Sequence, residues 1–229
     1  MRVGWKTTVE VYHNTHVSAG GHPAPRPVFW ASSHQEPEGS LPSPVAHSLV
    51  GLAIAHTLAP TSVRARSAWY AVAVVAANAA DLDFLAGLAA GSINAFHGGA
   101  THSFAVALAF GGLTALVFRP AGTTRGRVAL AAFASYASHV ILDMACNQDP
   151  RNAGMTVLWP LTNERWLFAW RPLPGIIHGG TGGGIPQFLG ELFSVHNLMA
   201  GALELAVFLP LLGLVLWVRG GRNPFRRSA

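Results

Sequence analysis

Phe96-His97-Gly98-Gly99-Ala100-Thr101-His102-Ser103 is the stretch on which the reading of this chain turns. Two histidines flank a glycine pair, and the second opens a long apolar run, Phe104 to Phe118. Histidine is the commonest side-chain metal ligand, and glycine lets the backbone bend tightly beside an ion. Thr101 or Ser103 can cap the helix that follows. The motif gains weight from what recurs at the ends of other apolar runs: His47, Asp81 with Asp83, and His139 with Asp143.

Composition narrows the class. Hydrophobic residues make up 51% of the chain and charged residues 11%, against about a quarter charged in an ordinary soluble domain. With a positive mean hydropathy, this points to a membrane protein or a very apolar helical core. Cys146 is the single cysteine, which excludes an internal disulfide and a thiolate zinc cluster. The sequence pI of about 10.3 raises nucleic acid as a partner. The arginines, however, are scattered through short loops and the tail with no aromatic-interleaved basic stripe, so no nucleic-acid partner is expected.

Residues 1–43 are polar, rich in Pro, Gly, Ser and His, and show no sustained apolar period, so they read as a disordered segment. Ser43-Pro44 is a helix start, a cap followed by proline at the first helical position. The apolar run behind it reaches Ala59 and carries His47 in its first turn. A second run, Ser67 to Ala90, holds Asn78, Asp81 and Asp83. Carboxylates inside an apolar run are costly and are usually paired or metal-bound. Residues two apart lie about 200° apart on a helix, so either the helix breaks here or only one carboxylate faces the site. A fourth run, Val128 to Ala145, ends with His139 and Asp143 at i and i+4, on one helical face. Residues 147–197 form a long loop rich in aromatics, Gly and Pro, and its tryptophans suit a membrane surface. A fifth run, Leu198 to Val218, is long enough to cross a bilayer and contains Glu204. A basic tail, 219–229, closes the chain. The expected architecture is therefore an all-α membrane helical bundle over 44–218, of about five apolar helices, with a polar site at one end.

Alternation of five spans puts the loops after runs one, three and five on one side. Those stretches hold Arg64, Arg66, Arg119, Arg125, Arg127, Arg219, Arg222, Arg226 and Arg227, and no Asp or Glu. The positive-inside rule makes that side cytoplasmic. His47, His97, His102, His139 and Asp143 then gather at the opposite face, with the Asp81/Asp83 and Glu204 runs reaching toward it. A mixed His/carboxylate shell without thiolates suits Zn²⁺, and also Mn²⁺ or Fe²⁺. Water bound to such an ion becomes a nucleophile near neutral pH.

The ordered set SPVAHSLVGLAIAH, AANAADLDFLAG, FHGGATHS, SHVILD and VLWP resembles the membrane-bound metal-dependent hydrolase family, the YdjM-like inner-membrane proteins, which is distantly similar to zinc-dependent phospholipase C. The resemblance covers roughly Ser43 to Leu161, with a weaker echo from His196-Asn197 through Glu204. It implies a multi-pass helical protein of the inner membrane and a metal-dependent hydrolase. The family's motif positions correspond to His47, Asp81, Asp83, His97, His102, His139 and Asp143. Two positions depart from the family: Gly98 stands where an arginine is usual, and Ala80 where a proline is usual. The missing arginine matters more, because a guanidinium there would bind phosphate bidentately.

These observations lead to a hydrolase whose metal is held by His47, Asp81, Asp83, His97, His102, His139 and Asp143. Asp83 orients a ligand or serves as base, and Glu204 is the alternative base. The expected partners are membrane lipid and a lipid or lipid-linked phosphoester substrate. A metal-binding or transport protein without catalysis, and a structural membrane protein, are the rival readings.

Overall fold

A computed structural model describes residues 9–12, 40–60, 66–91, 95–146, 154–177 and 190–220. Helix α1, Pro44–Leu58, starts as its sequence dictates: the Ser43 hydroxyl accepts from the amides of Val45 and Ala46, and Pro44 occupies the first helical turn. Helix α2, Arg66–Asn78, is followed by a 3-10 turn, Ala80–Leu82, and by α3, Asp83–Ala89. Helix α4, Phe104–Val117, is capped by Ser103, whose hydroxyl accepts from the Val106 amide at 3.2 Å. Helix α5, Arg125–Met144, is capped by Thr124. Helix α6, Val195–Gly220, ends the described chain.

The second apolar run therefore breaks, bending by 59° between its two helical parts. Asn78 contributes to the stop. Its side-chain amide donates to the Val74 carbonyl at 2.8 Å and to Ser48 Oγ at 3.1 Å. Such local bonds compete with helix propagation. The break resolves the question raised by the Asp81/Asp83 spacing: with no continuous helix between them, both carboxylates reach the same histidine cluster.

Alanine and glycine line the helix contacts. Ala46, Ala55, Ala76, Ala77, Ala107 and Ala132 are fully buried. Leu108, Leu113, Leu116 and Val117 of α4 and Leu209, Leu211, Leu214 and Trp217 of α6 are exposed. Small residues inside and large apolar residues outside are the pattern of helices that approach closely within lipid. Helix α1 packs on α2, α5 and α6, and α5 packs on α2 and α4. Gly111 lets α4 approach α5 closely. A Cβ there would lie 2.7 Å from the Ala129 carbonyl oxygen and 2.9 Å from Phe133 Cβ. Gly111→Val is expected to force the helices apart and cost about 1–3 kcal/mol or more, read as a lower midpoint of thermal unfolding in detergent.

The lengths do not carry five spans. Among the described residues, only Val195–Arg219 is by itself long and apolar enough to cross a membrane, and α2 with α3 qualifies as one bent span. Helices α1 and α4 have 15 and 14 residues, where a span needs about 20. The 20 residues of α5 begin with Arg125 and Arg127 and end with His139 and Asp143, which lowers its hydropathy.

Short strands appear where the sequence suggests none. Most of 1–43 lies outside the described residues, but β1, Val9–Tyr12, pairs antiparallel with β3, Arg165–Phe168. Strand β2, Ser40–Leu41, pairs with β4, Ile176–Ile177. The 147–197 loop is thus partly built from strand pairs too short to leave a periodic signature. Asn197, buried at the start of α6, holds it in place: Oδ1 accepts from the Ile177 amide, and Nδ2 donates to the carbonyls of Ile177 and Glu191, all at 2.7 Å.

Candidate metal centre

Four helical segments and the glycine-bearing turn bring seven residues together. His47 comes from the first turn of α1, Asp81 from the 3-10 turn, Asp83 from the start of α3, and His139 with Asp143 from the last turns of α5. His97 and His102 come from the turn before α4. Gly98 in that turn has φ +70°, a conformation glycine adopts without strain.

The core of the cluster is a pair of imidazole nitrogens and two carboxylate oxygens. His102 Nε2 and His139 Nε2 lie 3.3 Å apart. Asp143 Oδ2 is 3.2 Å from the first and 3.1 Å from the second. Asp81 Oδ1 is 3.3 Å from His139 Nε2 and 3.9 Å from His102 Nε2. His47 stacks on His139 at 3.9 Å between centroids and points Nε2 at Asp143 Oδ1, 3.3 Å away.

The remaining ring nitrogens fix the tautomers. His139 Nδ1 is 2.8 Å from the Ala77 carbonyl, which can only accept, so Nδ1 carries the proton. That carbonyl is available because α2 ends one residue later and its last carbonyls have no partner within the helix. His102 Nδ1 faces Asp83 Oδ2 at 3.3 Å, and His97 Nδ1 faces Asp83 Oδ1 at 3.2 Å. Thr101 donates to Asp83 Oδ2 at 2.8 Å rather than capping α4, and Tyr136 in turn donates to the Thr101 carbonyl at 2.8 Å. Phe84 stacks on His97, ring centroids 4.5 Å apart. Asp83 thus uses one oxygen for each histidine of the motif. With a metal on the histidines, that geometry would be the outer carboxylate of a carboxylate–histidine–metal arrangement.

These residues fit a divalent cation. With Nδ1 protonated, the facing Nε2 atoms of His102 and His139 present lone pairs to each other, which only a proton or a metal reconciles. Donor separations of 3.1–3.3 Å match the edge of a coordination polyhedron, roughly 3.0–3.4 Å for ions bound at 2.0–2.1 Å. His47 Nδ1 is buried without a hydrogen-bond partner among the described residues. Three overlapping groups can each hold an ion: His47/Asp81/His139, Asp81/His97/His102, and His102/His139/Asp143. Asp83 belongs to none of them.

The protonation tendencies in the glycine-bearing turn diverge. Burial, followed by the charge of His102, pushes the His97 pKa down. Burial also opposes charge on His102, but its contacts with Asp143 and Asp83 outweigh it and carry its pKa up.

Glu204 is fully buried but lies outside the three groups. Its carboxylate accepts from the Ser43 amide, Oε1 at 2.9 Å, and from the Ser43 hydroxyl, and so anchors the start of α1 one turn before His47. His196 contacts the Gly175 carbonyl, and His56 contacts Tyr70 at the far end of α1. His178 lies outside the described residues.

An arginine stands at the turn after all, supplied by another element. Arg165 of β3 donates from Nη2 to the His97 carbonyl at 3.2 Å and from Nε to the Gly154 carbonyl at 3.1 Å. A Cβ on Gly98 would sit 2.6 Å from Arg165 Nη2, so the guanidinium occupies the space a side chain at 98 would need. Sequence reading missed this residue because 68 positions separate it from His97. Arg165→Ala is expected to loosen His97 and weaken metal binding by roughly 10–100-fold, as losing an outer-shell partner does. Titration of Zn²⁺ into apo-protein measures it.

No curated protein and no solved structure matches the chain. The ordered motifs and the site they build extend from the Ser43 cap through the long apolar helix. A family model described as YdjM inner membrane protein matches residues 43–222, that whole stretch, and the chain belongs to this family.

Proposed function

We propose that this protein is a membrane-embedded, metal-dependent hydrolase acting on a phosphoester of a lipid or lipid-linked substrate. The observation that carries the reading is the convergence of His102 Nε2, His139 Nε2, Asp143 Oδ2 and Asp81 Oδ1 within one cluster. His47, Asp81, His97, His102, His139 and Asp143 would hold the metal, with Zn²⁺ the first choice and Mn²⁺ or Fe²⁺ the alternatives. A metal bound there supplies a Lewis acid and lowers the pKa of coordinated water. Asp83 and Ala77 hold the ring tautomers that direct Nε2 of His102 and His139 inward. Asp81 is 21% exposed, whereas Asp83, His102, His139 and Asp143 are buried. Substrate therefore approaches along the Asp81 edge, while the apolar surround keeps bulk water from the deeper ligands. Arg165 is the nearest described guanidinium on the motif turn and would favour an anionic substrate.

The site lies where α1 begins and α5 ends. Arg125, Arg127 and Arg219 lie where α5 begins and α1 ends. With the arginine end cytoplasmic, the metal site sits near the opposite face of the inner membrane. Transport would favour polar groups through the whole depth of the bundle, whereas the His/Asp cluster gathers at one end and His56 lies at the other.

The test is hydrolysis of a panel of phosphomonoesters and phospholipids by purified protein loaded with Zn²⁺ or Mn²⁺, beside the chelated protein and Asp81→Asn. Turnover that needs metal and falls at least about 100-fold in Asp81→Asn, consistent with loss of a group acting at the reacting centre, supports the hydrolase. Bound metal with no turnover on any substrate favours the non-catalytic metal-binding reading.

A further inference from the structure

We propose a second site, for an anionic glycerophospholipid, at the arginine end of the bundle. Two adjoining spaces define it. One is a cavity of about 370 Å³ lined by Thr57, Thr124, Gly126, Arg127 and Arg219. The other, of about 250 Å³, is an apolar groove between α1 and α6 lined by Leu49, Ala53, Ile54, Phe208, Leu212 and Val215. Thr57 lines both, so the basic cavity and the apolar groove are neighbours.

The arrangement matches one molecule with a charged head and an apolar tail. Val195–Arg219 is the helix long enough to cross the membrane, so Arg219 lies at its end, at headgroup depth, and Phe208 to Val215 lie in the hydrocarbon. Seven residues of helix separate Phe208 from Val215, about 10 Å, enough to seat much of an acyl chain. Charge points the same way. Arg125 and Arg127 occupy the first turn of α5, where the helix dipole disfavours cations. The described connection at this end, residues 118–124, contains no Asp or Glu to neutralise them. Arg219 donates to the carbonyls of His56 and Thr57 at the end of α1; a phosphate seated between it and Arg127 gives Arg127 an anionic partner, and basic pockets between membrane helices bind such headgroups.

This site is separate from the metal centre. Thr57 lies ten residues beyond His47, roughly 15 Å along α1. The lipid here is a bound structural partner, and its binding is read without any assay of turnover.

Full-length protein in a neutral detergent is incubated with equal amounts of phosphatidylglycerol and phosphatidylcholine of identical chains, and retained lipid is read by native mass spectrometry. Wild type is expected to retain phosphatidylglycerol over phosphatidylcholine by roughly fivefold or more. Arg127→Gln, an exposed position that leaves the Arg219 bonds to α1 intact, is expected to erase the preference. Ala53→Phe, which fills the groove, is expected to reduce retention of both lipids. Equal retention of the two lipids by wild type overturns the proposal, as does an unchanged preference in Arg127→Gln. Displacement of the lipid by millimolar inorganic phosphate, with Ala53→Phe behaving as wild type, overturns the lipid assignment in favour of a free-phosphate site.

Discussion

His102→Ala/His139→Ala is expected to purify as a folded helical protein that holds essentially no divalent metal, whereas the wild type holds one equivalent or more. Each of the three ligand groups contains His102, His139 or both, so the double substitution removes a donor from every group. The loss should exceed the roughly 10–100-fold that follows removal of an outer-shell partner, because it deletes ligands themselves. The two rings also bring two nitrogens face to face, 3.3 Å between Nε2 atoms, which is repulsive between neutral imidazoles and relieved by a cation. Elemental analysis of both proteins after identical reconstitution measures the difference. Equal metal in the two, or none in the wild type after reconstitution, would remove the metal centre and the hydrolase proposal with it.

Asp143→Ala has a large expected effect on stability. Asp143 is buried and within 3.1–3.3 Å of His47, His102 and His139. Removing one partner of a buried charged network leaves the others uncompensated, at a cost of about 3–5 kcal/mol. A second signature accompanies it. Excess metal stabilises a folded state that binds it, by about 4 kcal/mol at a thousandfold over Kd, and the variant should lose most of that gain. Thermal unfolding of metal-free and metal-loaded forms in the same detergent separates the two contributions. An Asp143→Ala midpoint within a degree or two of wild type in both states would mean that the carboxylate is not carrying the cluster.

Several parts of this structure were legible in the residues. The Ser43-Pro44 start, the Ser103 cap and the i,i+4 pairing of His139 with Asp143 depend on contacts within a turn or two, and local periodicity reports such contacts. The period of the helix also showed that Asp81 and Asp83 could not both face one site from an unbroken helix. It did not say which escape the chain takes. The Asn78 side chain and the 3-10 turn take the first, breaking the run. One reading needed revision. Hydropathy marked five apolar runs, but polar ends and short lengths leave one clear span and one bent candidate. A carboxylate inside an apolar helix demands a partner, and the structure gives Glu204 the cap of α1.

The sequence by itself pointed to the His and Asp residues that cluster and to their places near the ends of apolar helices, because capping, proline and helical period act over a few neighbouring positions. Only the tertiary structure decided the division of roles among them. Asp83 orients His97 and His102 while Asp81 and Asp143 meet the inward nitrogens. Arg165 fills the space above Gly98 from 67 residues further along the chain. Those assignments depend on how closely alanine- and glycine-lined helices approach one another, and a linear period carries no measure of that distance.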